Sequence, residues 1–248
     1  MEISIAAEKL FGFGAFPITN SFLLAVSLGA LLSGASFLFL RKLEDIPRGV
    51  QNAVESVFEA LLGLVESVTQ DKAQARKFFP LVATIFLFVL FSNWIGLLPG
   101  GGTVGVYGRH ETIIPFLRSP SADLNMTLAL SLISVFSIQL AGITVLGLRG
   151  YASKFFVAPW VKPYGIGTAV GALELVGEFA KILSFSFRLF GNVFAGEVLL
   201  TVMLHLVPYA VPLPFLFLEA FVGLIQALVF AMLTLVFLKM ATVGHEAH

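Results

Sequence analysis

From about Gly165 to Val207 the chain runs apolar for roughly 40 residues without a proline, yet it carries Glu174, Glu178, Lys181, Arg188 and Glu197 inside that run. One helix perpendicular to a bilayer needs only about 20 apolar residues to cross the hydrocarbon core. A segment twice that length has to bend or lie strongly tilted. Ionisable groups at that depth cost roughly 2.5–3.5 kcal/mol each, and by default they face a water-filled path or a partner. Pro208, Pro212 and Pro214 then form a tight uncharged connection, and a second long apolar segment follows over about 213–241. The two are expected to form an antiparallel hairpin of long, strongly tilted helices.

Three further spans precede the hairpin, over about 18–40, 78–98 and 124–148. The first stops at Arg41-Lys42, the second at Pro99 and three glycines, and the third at Arg149-Gly150. Between the first two, Val54, Val57, Phe58, Leu61, Leu62, Val65 and Val68 recur at helical spacing, with Glu55, Glu59 and Glu66 off that stripe. This pattern predicts an amphipathic interfacial helix, lying at a membrane surface or against a partner helix. The fold class expected is therefore an all-α membrane protein with a single membrane domain over 1–248. Only 12% of the residues are charged, against about 25% in soluble domains, which suits a surface facing lipid.

Net charge is zero, which argues against a nucleic-acid partner, since that needs a basic face. The absence of cysteine removes disulfides, cysteine-based zinc sites and thiol chemistry. His245 and His248 have no metal-ligand spacing, and neither metal nor cofactor is expected. The N-terminus lacks a basic leader pattern, so the first apolar run is expected to be a retained span. Alternating the connections puts Arg41, Lys42, Arg48, Lys72, Arg76, Lys77, Arg149, Lys154, Lys162 and Lys239 on one side, and Lys9, Arg109 and Arg118 on the other. That asymmetry predicts a cytoplasmic C-terminus and an N-terminus outside.

Helix geometry sorts the intramembrane polar groups. At about 100° per residue, Glu174, Glu178, Lys181, Arg188 and Asn192 fall within roughly 80° of one another, whereas Glu197 lies about 180° from Arg188 and about 13–14 Å further along the axis. Polar groups on both sides of the arginine suggest two offset half-channels rather than one pore. On the second helix Glu219 and Gln226 share a face; antiparallel pairing brings Glu219 level with Glu197, and Gln226 nearer Arg188. Two neighbouring carboxylates in low dielectric suit a proton relay. Guanidinium keeps its charge even when partly desolvated, so Arg188 cannot pass a proton on and would block leakage between the half-channels.

The run Arg188-Leu189-Phe190-Gly191-Asn192-Val193-Phe194-Ala195-Gly196-Glu197 resembles the signature of subunit a of the rotary F-type ATP synthase, in its bacterial form. Glu174, Lys181 and Ser184 stand at that family's spacing upstream. Ile225-Gln226-Ala227 with Phe230-Ala231-Met232-Leu233-Thr234, Asn93 with Leu97-Leu98-Pro99, and Pro120-Ser121-Ala122-Asp123 resemble its other landmarks, so the likeness covers nearly the whole chain. The resemblance implies a non-catalytic, proton-translocating stator in a bacterial plasma membrane. Its implied partners are a rotor ring of small helical-hairpin subunits, a peripheral-stalk subunit, other ATP synthase subunits and the lipid bilayer. Carried over, Arg188 separates the half-channels and faces the ring. Asn192, Glu197, Glu219 and Gln226 line the path from outside, and Glu174, Glu178, Lys181 and Ser184 lie towards the cytoplasm. Some members have histidine where Glu219 stands, and Glu178 is not a family landmark. Among plainer readings, an ion pair of Arg188 with Glu174 or Glu178 would have to reach about 15–21 Å along one helix. Lys181 could equally snorkel to the interface, and Glu174 and Glu178 could be interfacial. His205 is expected near the outer interface, and Asp123 as a helix N-cap. A self-contained proton-coupled secondary transporter is the alternative function.

Overall fold

In the computed structural model the described residues are 8–13, 16–41, 43–44, 46–98, 105–107, 113–115, 118–155, 166–207 and 211–242. Six helices carry them: α1 (Asn20–Leu40), α2 (Val50–Thr69), α3 (Lys72–Ile95), α4 (Leu124–Phe155), α5 (Ile166–Leu206) and α6 (Pro212–Thr242). Five of these, all but α2, are long and apolar enough to cross a membrane. The all-α membrane architecture is as expected. Two small antiparallel strand pairs were not foreseen: β1 (Lys9–Phe13) with β2 (Phe16–Thr19), and β3 (Gly105–Tyr107) with β4 (Ile113–Pro115). The expected stop at Pro99 to Gly102 and the turn at Pro208 lie outside the described residues.

Helix starts follow their caps. Thr19 Oγ1 accepts the Phe22 N–H at 3.3 Å at the head of α1. Asp71 Oδ1 accepts the Ala73 N–H at 2.8 Å, so α3 begins at Lys72, six residues before the hydrophobic run that marks it in the sequence. Satisfying an orphan N–H is worth about 1 kcal/mol, enough to extend a helix through the polar residues Lys72 to Lys77. Asp123 caps α4 as expected, accepting the Asn125 N–H at 3.0 Å. In α2, Leu61, Val65 and Thr69 are buried and Glu59 is exposed, as its amphipathic pattern requires.

The core is a bundle of α3, α4, α5 and α6. Val82, Phe86 and Val89 of α3, Ile138 of α4, Phe185, Leu189 and Val193 of α5, and Phe230, Leu235 and Leu238 of α6 form one buried cluster. Phe185 lies 5.1 Å from Phe230 and 5.8 Å from Phe237, ring centre to ring centre. Between helices in lipid, such dispersion contacts and buried hydrogen bonds replace water exclusion as the driving force. Thr127 and Ser186 supply one such bond, hydroxyl to hydroxyl at 3.0 Å, between α4 and α5. At the opposite end of the bundle Lys239 Nζ donates to the Val68 carbonyl at 2.8 Å, capping the C-terminus of α2. Gln74 Nε2 donates to Thr242 Oγ1 at 3.1 Å. The end of α2, the start of α3 and the end of α6 therefore lie together.

Two helices depart from a simple span. The 41-residue α5 is unbroken. At 1.5 Å per residue it is about 60 Å long, twice what an upright span of the roughly 30 Å hydrocarbon core needs. Helix α4 breaks at Gly147, whose φ of 75° and ψ of 159° are not helical. A positive φ is the conformation that glycine adopts without strain. Beyond it the chain resumes helical turns to Phe155 and brings the Tyr151 ring against Gly142, where a Cβ would overlap it.

Phe230→Ala should destabilise the bundle by less than the roughly 3–5 kcal/mol such a change costs in a water-soluble core, because lipid rather than water solvates the unfolded reference. Unfolding of the chain in micelles by sodium dodecyl sulfate measures it. The exposed Phe221→Ala is the control, expected to shift the midpoint little.

Candidate functional site

The polar residues of α5 are divided between two faces. Measured as rotation from Arg188 at about 100° per residue, the buried Phe185, Leu189, Val193 and Gly196 cluster around +60° to +140°, and the exposed Leu173, Ala180, Phe187 and Gly191 around −60° to −100°. Arg188 stands at the border and is exposed. Its Nη2 donates to Ser184 Oγ at 3.3 Å. Among the described residues no carboxylate lies within ion-pair distance of it, so the intrahelical pair with Glu174 or Glu178 is not formed.

One turn beyond, Asn192 Nδ2 donates to Gln226 Oε1 of α6 at 2.7 Å. Gln226 is buried. Next along α5, Gly196 is covered by the Glu219 carboxylate, which occupies the volume that a side chain at 196 would need. The register expected of the hairpin is thus the one observed: Glu219 lies level with residues 196 and 197, and Gln226 near the arginine. Helix α3 holds α6 in that register. Asn93 Nδ2 donates to the Gly223 carbonyl at 2.9 Å, and Trp94 Nε1 to the Ala220 carbonyl at 2.9 Å.

Glu197 has a charge partner that the sequence reading does not name: Arg118, with Nε 3.6 Å from Oε1. Arg118 was counted among the cations of an outer connection, but it is 7% exposed. It precedes a single 3₁₀ turn, Pro120–Ala122, that tucks between the helices; Ser119 Oγ donates to the Ser92 carbonyl at 2.8 Å. Glu8, just before β1, also lies close enough to Glu197 for the two carboxylates to repel. Nothing in the pattern around Arg118 marked it for burial, because it lies in a connection without helical or strand periodicity.

Several buried polar atoms on this side of Arg188 have no protein partner among the described residues: Glu197 Oε2, Ser92 Oγ, Asn93 Oδ1 and Gln226 Nε2. Such atoms are normally satisfied by water. Of their residues, Asn93 bonds from α3 to α6, and Gln226 bonds from α6 to Asn192 of α5.

On the other side of Arg188 the polar groups turn towards α4 and α6. Lys181 Nζ donates to Glu178 Oε1 at 2.7 Å and lies 4.6 Å from the Phe237 ring centre. Lys181 therefore pairs inside the bundle. Gln139 Nε2 of α4 donates to Glu178 Oε2 at 2.8 Å. Glu174, one turn further, is half-buried. The sequence reading does not name Gln139; the signal for it is a single glutamine in the middle of the third span. His205 is exposed near the end of α5, its Nδ1 3.1 Å from the Thr201 carbonyl. Among the described residues no cluster of three metal-ligating side chains occurs.

A family model described as the ATP synthase A chain matches residues 21–239. ATP synthase subunit a of Helicobacter pylori (strain G27) is 38% identical over 228 residues, which cover 91% of this chain and 89% of that protein. The subunit a of Gloeobacter violaceus is 40% identical over 218 residues, covering 88% and 81%. That of Moorella thermoacetica is 33% identical over 238 residues, covering 96% and 97%.

A double-mutant cycle on Arg118→Ala and Glu197→Ala, followed by thermal unfolding in detergent, should return a coupling of about 0.5–3 kcal/mol, the range for residues in direct contact. Additive losses would mean that the two side chains do not pair.

Proposed function

The chain belongs to the ATP synthase A chain family, and from that premise we propose that it is the proton-translocating stator of the membrane sector of an F-type ATP synthase, working with the other subunits of that complex. In this reading two half-channels end on either side of Arg188. The one from outside uses Glu197, Glu219, Gln226 and Asn192. The one to the cytoplasm uses Ser184, Lys181, Glu178 and Glu174.

The observation that supports the reading is the position of Arg188: exposed on α5, with the Asn192–Gln226 bond on one side of it along the helix and the Lys181–Glu178 pair on the other. The exposed residues alongside it are apolar or small, among them Leu173, Val176, Ala180, Ser184, Phe187, Gly191 and Ala195. That surface suits a close, sliding contact with a ring of small helical hairpins. Small residues allow helices to approach without interlocking.

The mechanism follows from charge. A proton from outside reaches the rotor carboxylate through the Glu197–Glu219 and Gln226–Asn192 track and neutralises it, so that it can enter lipid. After rotation, a neutral carboxyl arriving at the other side meets the outlet and loses its proton. The resulting carboxylate is attracted to Arg188, which stays cationic and gives no proton of its own. Passage between the tracks therefore requires rotation, and rotation drives synthesis in a separate soluble head. The C-terminus is cytoplasmic in this reading because the end that gathers α2, the start of α3 and the end of α6 carries Lys72, Arg76, Lys77 and Lys239.

Arg188→Ala in the whole complex should bring proton-driven ATP synthesis in vesicles to background while ATP hydrolysis by the soluble head survives. Normal synthesis by that variant would overturn the reading. Asn192→Cys should crosslink to a ring hairpin that carries a cysteine at bilayer depth, and the chain's lack of native cysteine keeps its own background at zero.

A further inference from the structure

Glu178 has the most elaborate surroundings of the carboxylates on α5, although the family motif gives it no role. Each of its oxygens has a donor: Oε1 takes Lys181 Nζ at 2.7 Å and Oε2 takes Gln139 Nε2 at 2.8 Å. The amide of Gln139 is held in turn, because its Oε1 accepts the Tyr151 hydroxyl. An amide can present either end to a neighbour. A phenol donating to the oxygen leaves only the NH₂ end for Glu178.

Two glycines make this arrangement possible. The break at Gly147 returns the chain towards its own helix, and the bare Cα of Gly142 receives the Tyr151 ring. Tyr151 is buried. Burial first, and then the Glu178 and Glu174 carboxylates, push its phenol up to about 12, so it remains a donor at any pH the protein meets.

We propose that Gln139 and Tyr151 of α4 are positioning residues of the cytoplasmic outlet, holding Glu178 beside Lys181 as the group that accepts the departing proton and releases it to water. The inference rests on the stator reading. Lys181 stands seven residues, about 10 Å, from Arg188, within reach through a short run of water. A proton that leaves the rotor carboxylate forms an O–H bond on Glu178 and cancels its attraction for Lys181. Loss of that proton to cytoplasmic water restores the carboxylate and the pair. Gln139 keeps its bond in both states, since a neutral carboxyl still accepts through its carbonyl oxygen. Helix α4 is then a wall of the outlet and not only a packing helix.

The test uses the whole ATP synthase in vesicles with the head outward, measuring ATP-driven proton uptake per ATP hydrolysed and per assembled complex. Tyr151→Phe keeps the ring against Gly142 and removes only the hydroxyl. It and Gln139→Leu should each lower proton uptake several-fold with hydrolysis retained. Glu178→Gln should do the same, and Glu178→Asp should restore much of the loss. A purely structural Tyr151 would change the amount of complex assembled but not uptake per complex. Glu178→Cys, the sole thiol of the chain, should react with a membrane-impermeant thiol reagent from the cytoplasmic side and not from outside. Wild-type uptake per complex in Tyr151→Phe and Gln139→Leu, or labelling from outside or from neither side, overturns the proposal. Arg188→Ala in the same vesicles separates the two levels. If it abolishes uptake while the α4 variants pump normally, only the positioning role fails; if it pumps normally, the stator reading fails.

Discussion

Lipid offers no hydrogen bonds, so each polar side chain that a helix carries into the bilayer has to be answered by another helix or by water. The helices of this chain meet where those answers are available. Asn93 and Trp94 donate from α3 to carbonyls of α6, Thr127 meets Ser186 between α4 and α5, and Asn192 meets Gln226 between α5 and α6. Each bond ties down a register that apolar packing alone would leave free to slide. The register set in this way brings the Glu219 carboxylate onto Gly196.

Helix α5 carries the functional asymmetry. Its buried face joins the core through Phe185, Leu189 and Val193, while its other face, with Arg188 at the border, is open. A helix that packed all round could not offer a charge to a moving partner. One that packed too little could not hold that charge at a fixed height. The stripe of polar residues is about 80° wide, and that width has a consequence: its two edges look at different neighbours. Glu178, at one edge, reaches Gln139 on α4, whereas Arg188, at the other, reaches open space. In the proposed stator this separation is what prevents the inlet and outlet from merging.

Much of this was legible beforehand. Spans were marked by hydropathy, the amphipathic α2 by its period, and α4 by its Asp123 cap. The antiparallel register of Glu219 and Gln226 against α5 followed from counting residues either side of the proline turn. What escaped came from segments without periodicity or from contacts between elements. Arg118 looked like a loop cation and is buried against Glu197. The backward turn at Gly147, which delivers Tyr151 to Gln139, left a glycine in the sequence but no sign of direction. The early start of α3 at Lys72 was set by the Asp71 cap against the hydrophobic boundary at Phe78.

By itself, then, the sequence determined the membrane class, the length of the last two helices, and a permanent cation within a long apolar run. These depend on local quantities: hydropathy, helical period and the chemistry of guanidinium. The tertiary structure alone decided which charges are neighbours, pairing Glu197 with Arg118 and Glu178 with Lys181 and Gln139, and leaving Arg188 on the open side. Ion pairs and buried hydrogen bonds act over a few ångströms between residues far apart in the chain, and that distance is set only when the helices pack.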